Sequence, residues 1–333
     1  MSLIEQLNAA TEVYWLRTEP VDVLHKGSAL LWKLMGNAFQ RENWEVKPSE
    51  TVDGGTMIKV PLEYQGSHRG GYGPQTVIDT SKKTLLDAAR FRWAGAHGSN
   101  ALNLDDRIMN NGESAVVDLV KTYVKSVLKA VRVQMAEDVL RSTSSDAAPD
   151  NRRINGLGDL FNTTSSTEYG SIAEDDMSAW APNVLTTDEA ISFEVMQKIF
   201  RQPGFGSNRG ALPNFCVTTT LLRDGYERSL HPQQRYSHEN MLEAGWDNIM
   251  HKGAPIVADT YYDDSYTGYL DALNLEYLHL RSHSDFNFTP PEWVAMKESG
   301  QPDNMYVNCR WIGNLLCTNR QMHVRHTNLT EPA

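Results

Sequence analysis

The feature that most constrains this sequence is one very long stretch with helical periodicity. Residues 113–141 place apolar side chains at helical spacing, with Asn111 before them as an N-cap and Arg141 suited to the last turn. At 1.5 Å per residue this helix would be about 43 Å long, roughly three times the average. The apolar stripe broadens instead of keeping strict heptads, which disfavours a coiled coil. So long a helix in a chain of 333 residues predicts an elongated body.

Composition and charge exclude several classes of protein. With 40% hydrophobic and 22% charged residues, the chain has the composition of an ordinary folded protein. No stretch approaches about eighteen uninterrupted apolar residues, so we expect no membrane span. The first residues lack the basic start and apolar run of a secretory signal, so we expect folding in the cytoplasm. Forty-two acidic against thirty-one basic residues leave a net charge of −11, the wrong sign for gripping a phosphate backbone.

A long hairpin with a glycine-rich tip is predicted before the long helix. Residues 55–65 alternate as a strand, and Pro61 confines that strand to an edge or a two-stranded ribbon because proline lacks the ladder donor. The tip, GSHRGGYGPQ (residues 66–75), follows, and the returning limb contains TVIDT and ARFRWAGA. No helix opens after the glycines and no Lys-Ser/Thr pair follows, so we expect no phosphate-binding loop. An isolated hairpin is only marginally stable in water, so another surface must hold this one.

The rest of the chain predicts a mixture of helices and strands. Residues 1–47 hold two short amphipathic pieces that cannot form a core alone. Thr187-Asp188 is expected to start a helix, and strands and one short helix are expected between it and the C-terminal region. The last strand region is expected to break near Gly313-Asn314, with its strands returning toward the long helix. The fold class is therefore α+β.

The three cysteines predict no disulfide framework. Cys216, Cys309 and Cys317 are odd in number, lie in apolar surroundings and form no CxxC motif. We expect them to pack as small buried side chains in a reducing compartment.

The histidines and acidic residues form no known metal motif. His279 and His283 are four residues apart and His323 and His326 three apart, but the first pair begins inside an alternating strand, and HExxH is absent. The acidic runs match no calcium loop. We therefore predict no catalytic residue, no metal and no cofactor. A cytoplasmic metal-dependent hydrolase and a small oligomeric binding module stay open as alternatives.

The order of these elements resembles the major capsid proteins of tailed bacteriophages, the Hong Kong 97-like fold. The resemblance spans nearly the whole chain. None of the stretches that carry it is a catalytic signature. Those stretches are YGSI at 169–172 followed by Trp180, GAPIVAD at 253–259, and WIGNL at 311–315.

The resemblance implies a division of the chain into five parts. They are an N-terminal arm (1–50), an extended loop formed by the hairpin (51–105), a peripheral domain (106–189) with its spine helix at 113–141, an axial domain (190–298), and C-terminal strands (299–333) that return to the peripheral domain. The arm and the loop would each lie on a neighbouring subunit. The tip residues implied in that contact are Gly66, Arg69, Gly70, Gly71, Tyr72 and Gly73.

The function implied by the resemblance is structural. Copies of the chain would form pentamers and hexamers of an icosahedral virion shell, made in the host bacterial cytoplasm, that encloses double-stranded DNA without sequence-specific binding. Scaffolding, portal and decoration proteins are further partners that the family allows. The arm starts close to Met1, so no removable leader is expected, and the tip lacks the lysine that some members cross-link. A bacterial encapsulin, a cargo-housing shell of the same fold, is the nearest alternative.

Overall fold

The structure is a computed structural model. It describes residues 27–35, 51–63, 67–75, 77–82, 85–103, 119–141, 153–164, 168–175, 177, 180–203, 212–230, 248–263, 267–289, 292–295 and 304–332. The helices are α1 (Ala29–Leu34), α2 (Leu119–Arg141), α3 (Leu157–Leu160), α4 (Phe193–Arg201), α5 (Thr220–Ser229) and α6 (Thr260–Asp263). The strands are β1 (Thr51–Val52), β2 (Ile58–Glu63), β3 (Leu86–Phe91), β4 (Ala94–Leu102), β5 (Asn183–Leu185), β6 (Glu189–Ala190), β7 (Phe215–Thr218), β8 (Asn248–His251), β9 (Ala254–Ala258), β10 (Leu270–Leu273), β11 (Leu278–His283), β12 (Glu292–Ala295), β13 (Met305–Cys317), β14 (Val324–His326) and β15 (Leu329–Thr330).

The long helix α2 lies on a five-stranded sheet. Strand β13 is the centre of this sheet and pairs antiparallel with β4, β11 and β12, while β1 adds to the far edge of β11. At Gly98 of β4 an added Cβ would lie 2.5 Å from the Val127 carbonyl oxygen, so glycine lets the helix lie directly on the strand. Helix α2 also contacts β13, which confirms the expected packing of the long helix on the C-terminal strand region. The expected first turn, residues 113–118, lies outside the described residues.

The expected break near Gly313-Asn314 is wrong, because strand β13 runs unbroken from Met305 to Cys317. A Cβ at Gly313 would overlap the Arg281 carbonyl oxygen of β11 and the Trp311 ring, so this glycine serves close packing within the strand. The buried Asn314 side chain donates to the Arg92 carbonyl and accepts from the Asn155 amide at 2.8 Å. Residues 313–314 therefore join the sheet to two loops without ending the strand.

A six-stranded sheet forms the second layer, in the order β5-β14-β10-β7-β9-β8. Its faces alternate along each strand: Cys216 of β7 packs with α4 and α5, whereas Phe215 and Val217 join the core under α2. Two buried charges, Asp271 and Arg325, pair across β10 and β14 at 2.7 Å. Burial opposes the charge on Arg325, but the Asp271 carboxylate outweighs it and raises the pKa of Arg325.

The helix expected from Thr187-Asp188 begins later than its sequence signal. Residues Glu189–Ala190 form β6, which pairs in parallel with β15. Helix α4 starts after Ser192, whose hydroxyl accepts from the Val195 amide at 3.3 Å. Asp188, the expected start of the helix, therefore lies in the connection before it, and Ser192 provides the N-cap.

The segments expected as separate domains share their sheets. Strand β11 belongs by sequence to the expected axial part, yet it lies in the sheet of β4 and β13. Strand β14 belongs to the C-terminal part, yet it lies in the six-stranded sheet. The five-part division stays a prediction. None of the helices in the described ranges is long and apolar enough to cross a membrane.

The described part of the N-terminal region, residues 27–35, packs into the body of its own subunit. Helix α1 contacts α2, and five of its six residues are buried. The Asp259 carboxylate holds its first turn, accepting from the Ser28 hydroxyl at 2.7 Å and the Ala29 amide at 3.0 Å. This corrects the expectation that the whole arm needs a neighbour, because 27–35 find their partners within the subunit. The other residues of 1–50 lie outside the described ranges.

Candidate assembly surface

The inner part of the hairpin, strands β2 and β3, is built into the subunit core. The two strands pair antiparallel from Ile58 opposite Phe91 to Glu63 opposite Leu86. They form a two-stranded sheet among the described residues, as Pro61 predicts. Alternate side chains enter the main core. These are Ile58, Leu62, Ala89 and Phe91.

The YGSI stretch, residues 169–172, supports this inner part. Tyr169 meets the Phe91 ring edge-on at 5.2 Å, and the Gly170 carbonyl accepts from the Arg90 amide at 2.7 Å. Gly170 has a φ of +64°, and a Cβ there would lie 2.9 Å from the Cβ of Ala89. The Trp180 indole donates to the Tyr169 carbonyl at 3.0 Å. The motif therefore fixes where the hairpin leaves the body.

Beyond Glu63 and Leu86 the hairpin loses its cover. Of the tip residues expected to contact a neighbour, Arg69, Gly70, Gly71 and Tyr72 are exposed and Gly73 is half-buried. Gly66 lies outside the described residues. A Cβ at Gly70 or Gly71 would meet no atom within 4 Å, so no contact with the described part of the subunit requires glycine there. Their role as contacts stays a prediction.

Apolar side chains on the returning limb were missed by the sequence reasoning. The limb before β3 has no ladder partner among the described residues, yet it carries adjacent Val77 and Ile78. The available signal was an adjacent apolar pair that follows a tip rich in glycine and polar residues. With Tyr72 and Leu86 these side chains form an uncovered apolar set. Their exposed fractions are 81% for Tyr72, 93% for Val77, 64% for Ile78 and 67% for Leu86.

Polar side-chain contacts join the two limbs of the hairpin at the base of the tip. The His68 Nδ1 lies 3.1 Å from the Asp79 Oδ2, and its Nε2 lies 3.1 Å from the Ser81 hydroxyl. The Ser81 amide donates to the Asp79 Oδ1 at 3.0 Å. The outer part of the hairpin, residues 67–82, is thus tied limb to limb by side chains instead of a backbone ladder.

An open cleft of about 620 Å³ lies where the hairpin base meets the five-stranded sheet. His279 and Arg281 of β11 and Leu316 of β13 line it, with Lys59 on the hairpin side. Across the described ranges, no group of three or more His, Cys, Asp or Glu side chains could hold a metal ion. Of the two histidine pairs, His279 faces this open cleft, while His323 and His326 are buried in the second layer.

The three thiols are buried and unpaired in disulfides. Burial raises the pKa of Cys309 to about 11 and that of Cys317 to about 12, and it raises the pKa of Cys216 further. The thiolate is the reactive form of cysteine, so these side chains act as small hydrophobic residues. The expected burial of all three is confirmed.

Comparison with known proteins identifies the fold. No family model matches the sequence, and no curated protein matches it. The capsid asymmetric unit of cyanophage A-1(L) is similar in structure, with a TM-score of 0.68 at 13% identity over 96% of this chain and 98% of that one. The chain has a phage capsid fold. The capsid of Myoviridae phage XM1 is similar too, with a TM-score of 0.55 at 12% identity over 99% of both chains.

An encapsulin complex is also similar in structure to this chain. The holo-SrpI encapsulin complex from Synechococcus elongatus matches with a TM-score of 0.54 at 7% identity, over 99% of this chain and 95% of that one. The α+β fold inferred from the Hong Kong 97-like resemblance is confirmed.

Proposed function

We propose that this chain is the major capsid protein of a tailed bacteriophage. Copies of it would form pentamers and hexamers of an icosahedral shell around double-stranded DNA, assembled in the host cytoplasm. The observation that carries the proposal is the likeness to the cyanophage capsid over 96% of this chain and 98% of that one. The chain acts by assembly and not by turnover.

The outer hairpin supports a contact between copies. Large apolar patches on a folded surface commonly mark interaction sites, and Tyr72, Val77 and Ile78 are largely exposed. Gly70 and Gly71, beside Tyr72, leave room for the backbone of a neighbour to approach closely. We assign the tip residues Arg69, Gly70, Gly71, Tyr72 and Gly73, with Gly66, to this contact.

The net charge supports a shell wall. At −11 the subunit repels a phosphate backbone, so the wall would enclose DNA without binding it tightly. Weak attachment lets packed DNA leave the shell later. Scaffolding, portal and decoration proteins are further partners of such a shell.

An encapsulin-type shell is the second candidate, favoured by the likeness to the SrpI complex. Both candidates require self-assembly and differ in content. Electron microscopy and analytical sedimentation of the expressed chain, alone and with its neighbouring gene products, test the shared step. We expect closed particles or capsomers. A folded monomer under every condition would contradict both candidates, and particles filled with protein and free of DNA would favour the encapsulin.

A further inference from the structure

Three side chains join the two limbs of the hairpin across residues 69–78. His68 stands on the outgoing limb, and Asp79 and Ser81 stand on the returning limb. The imidazole contacts Asp79 through Nδ1 at 3.1 Å and the Ser81 hydroxyl through Nε2 at 3.1 Å. The Ser81 carbonyl oxygen lies 3.2 Å from the same Nε2. The segment between these contacts is therefore a closed loop.

The contacts fit both protonation states of the ring. A neutral imidazole with its proton on Nδ1 donates to Asp79 and accepts from the Ser81 hydroxyl. A protonated imidazole donates to Asp79 and to the Ser81 carbonyl oxygen. Among the described residues, Asp79 is the charged side chain that contacts the ring. Arg69 is next to His68 in the chain, and Lys82 is next to Ser81. The loop can stay closed in either state without moving a side chain.

The order of contacts, carboxylate to imidazole to hydroxyl, is also that of serine hydrolases. Two observations separate this set from a catalytic one. The His68 and Asp79 side chains are 29% and 59% exposed, so water is not kept from the contacts. In serine hydrolases the backbone amide of the nucleophile commonly donates to the oxyanion. The Ser81 amide already donates to Asp79 at 3.0 Å. The arrangement fits a structural role.

We propose that His68, Asp79 and Ser81 form a clasp that holds the described tip residues, 69–75 and 77–78, in one conformation before a neighbouring copy contacts them. Asp79 is bonded directly to Ile78, so the clasp also fixes where Val77 and Ile78 stand. Ordering a loop in advance removes that entropy loss from the binding step. The consequence for assembly rests on the proposed function, whereas the clasp itself is a property of the single subunit.

Trypsin cleavage after Arg69 in the unassembled subunit tests the clasp. Partly exposed side-chain hydrogen bonds restrain a loop modestly, so His68→Ala and Asp79→Ala should each speed this cleavage about twofold to fivefold. The double variant should cleave no faster than the faster single variant, because both changes open the same contact. Gln75→Ala, on the exposed face of the loop, is the matched control and should cleave at the wild-type rate. Wild-type rates in His68→Ala would overturn the clasp.

Serine substitutions separate the structural role from a catalytic one. Ser81→Thr keeps the hydroxyl and should retain wild-type cleavage, whereas Ser81→Ala should lie between wild type and His68→Ala. A fluorophosphonate probe should leave Ser81 unlabelled. Labelling at Ser81 that depends on His68 would overturn the structural assignment.

Assembly of the same variants tests the consequence. His68→Ala should lower the particle yield about twofold to fivefold at limiting subunit concentration, while Gln75→Ala should assemble as wild type. A looser loop with unchanged assembly would overturn the docking role. If the wild-type chain forms no particles, the proposed function fails, and the trypsin result still decides whether the clasp exists.

Discussion

The inner and outer parts of one hairpin are held by different forces. The inner part, β2 with β3, has a backbone ladder and places Ile58, Leu62 and Phe91 in the core. The outer part, residues 67–82, has no ladder partner among the described residues and exposes Tyr72 and Val77. The same chain therefore changes from subunit core to uncovered surface within a few residues of Glu63 and Leu86.

This difference teaches that the ladder alone does not hold the hairpin. A two-stranded ribbon is marginal in water, and β2–β3 become stable through the residues beneath them. Tyr169 and Gly170 provide that support from the body. Among the described residues, the ladder is seen where this support is present, from Ile58 opposite Phe91 to Glu63 opposite Leu86. A substitution should therefore act on folding in the inner part and on assembly in the outer part.

The largest expected effect comes from one substitution placed on each side of this division. Val127 of α2 is 2% exposed and packs in the same core as the inner hairpin. Val127→Asp buries an unpaired carboxylate and should destabilise the subunit by several kcal/mol. Val77→Asp, at a side chain 93% exposed, should change stability by less than about 0.5 kcal/mol. Denaturant midpoints and soluble yield measure the effect of each substitution. Equal losses of stability in the two variants would contradict the difference between the core and the outer hairpin.

Aromatic truncation gives the next largest effect. Phe91→Ala removes a buried ring that touches Tyr169, and it should lower the free energy of unfolding by about 3–5 kcal/mol. Tyr72→Ala in the tip should leave that free energy within about 0.5 kcal/mol and instead reduce particle yield. Thermal melting of the subunit and particle counts from the same preparations decide this. A strong loss of stability in Tyr72→Ala would place the tip in the subunit core.

Acid should weaken the body of the subunit through its buried histidines. Burial lowers the pKa of His251 to about 4 and that of His323 to about 3, so both rings are neutral in the native state. The unfolded chain binds these protons below about pH 6.5, so stability falls as the pH drops toward the native pKa values. From pH 7.5 to 5.5 we expect a loss of about 1 kcal/mol for each histidine. Denaturant midpoints across this range measure the slope.

Two variants assign that slope. His251→Gln should reduce it, because one buried ring no longer takes up a proton on unfolding. Gln75→Ala, which removes no titratable group, should leave it unchanged. An unchanged slope in His251→Gln would contradict the assignment.

The smallest effect on folding is expected from removing the tip itself. Deleting residues 66–74 and closing the ribbon removes none of the side chains in the buried clusters. Circular dichroism and the denaturant midpoint should stay close to wild type, while assembly should stop at free capsomers or give fragile shells. An unfolded deletion variant would show that the tip supports the body, and robust shells at normal yield would show that it contacts no neighbour.

Several elements followed from local sequence alone. Apolar periodicity predicted the long helix, and the missing ladder donor of Pro61 predicted the two-stranded ribbon. The apolar surroundings of the three cysteines predicted their burial. The break near Gly313-Asn314 was wrong because a glycine followed by asparagine usually marks a turn. In this fold the glycine admits the neighbouring strand and the asparagine binds two loops.

The clasp and the support of the hairpin could not be predicted in the same way. His68 and Ser81 are thirteen residues apart, and Gly170 and Arg90 come from distant segments. Nothing in the spacing of such residues indicates that they meet, since no helical or strand period connects them.

The sequence by itself determined the long helix and the ribbon around Pro61, because both depend on side chains a few residues apart. It also determined the negative charge and the absence of a familiar catalytic motif. Only the tertiary structure decided which half of the hairpin belongs to the core, where the first helix docks and which apolar side chains stay uncovered. Those outcomes depend on contacts between segments far apart in the chain, and Asp259 holding the turn at Ser28 is the clearest case.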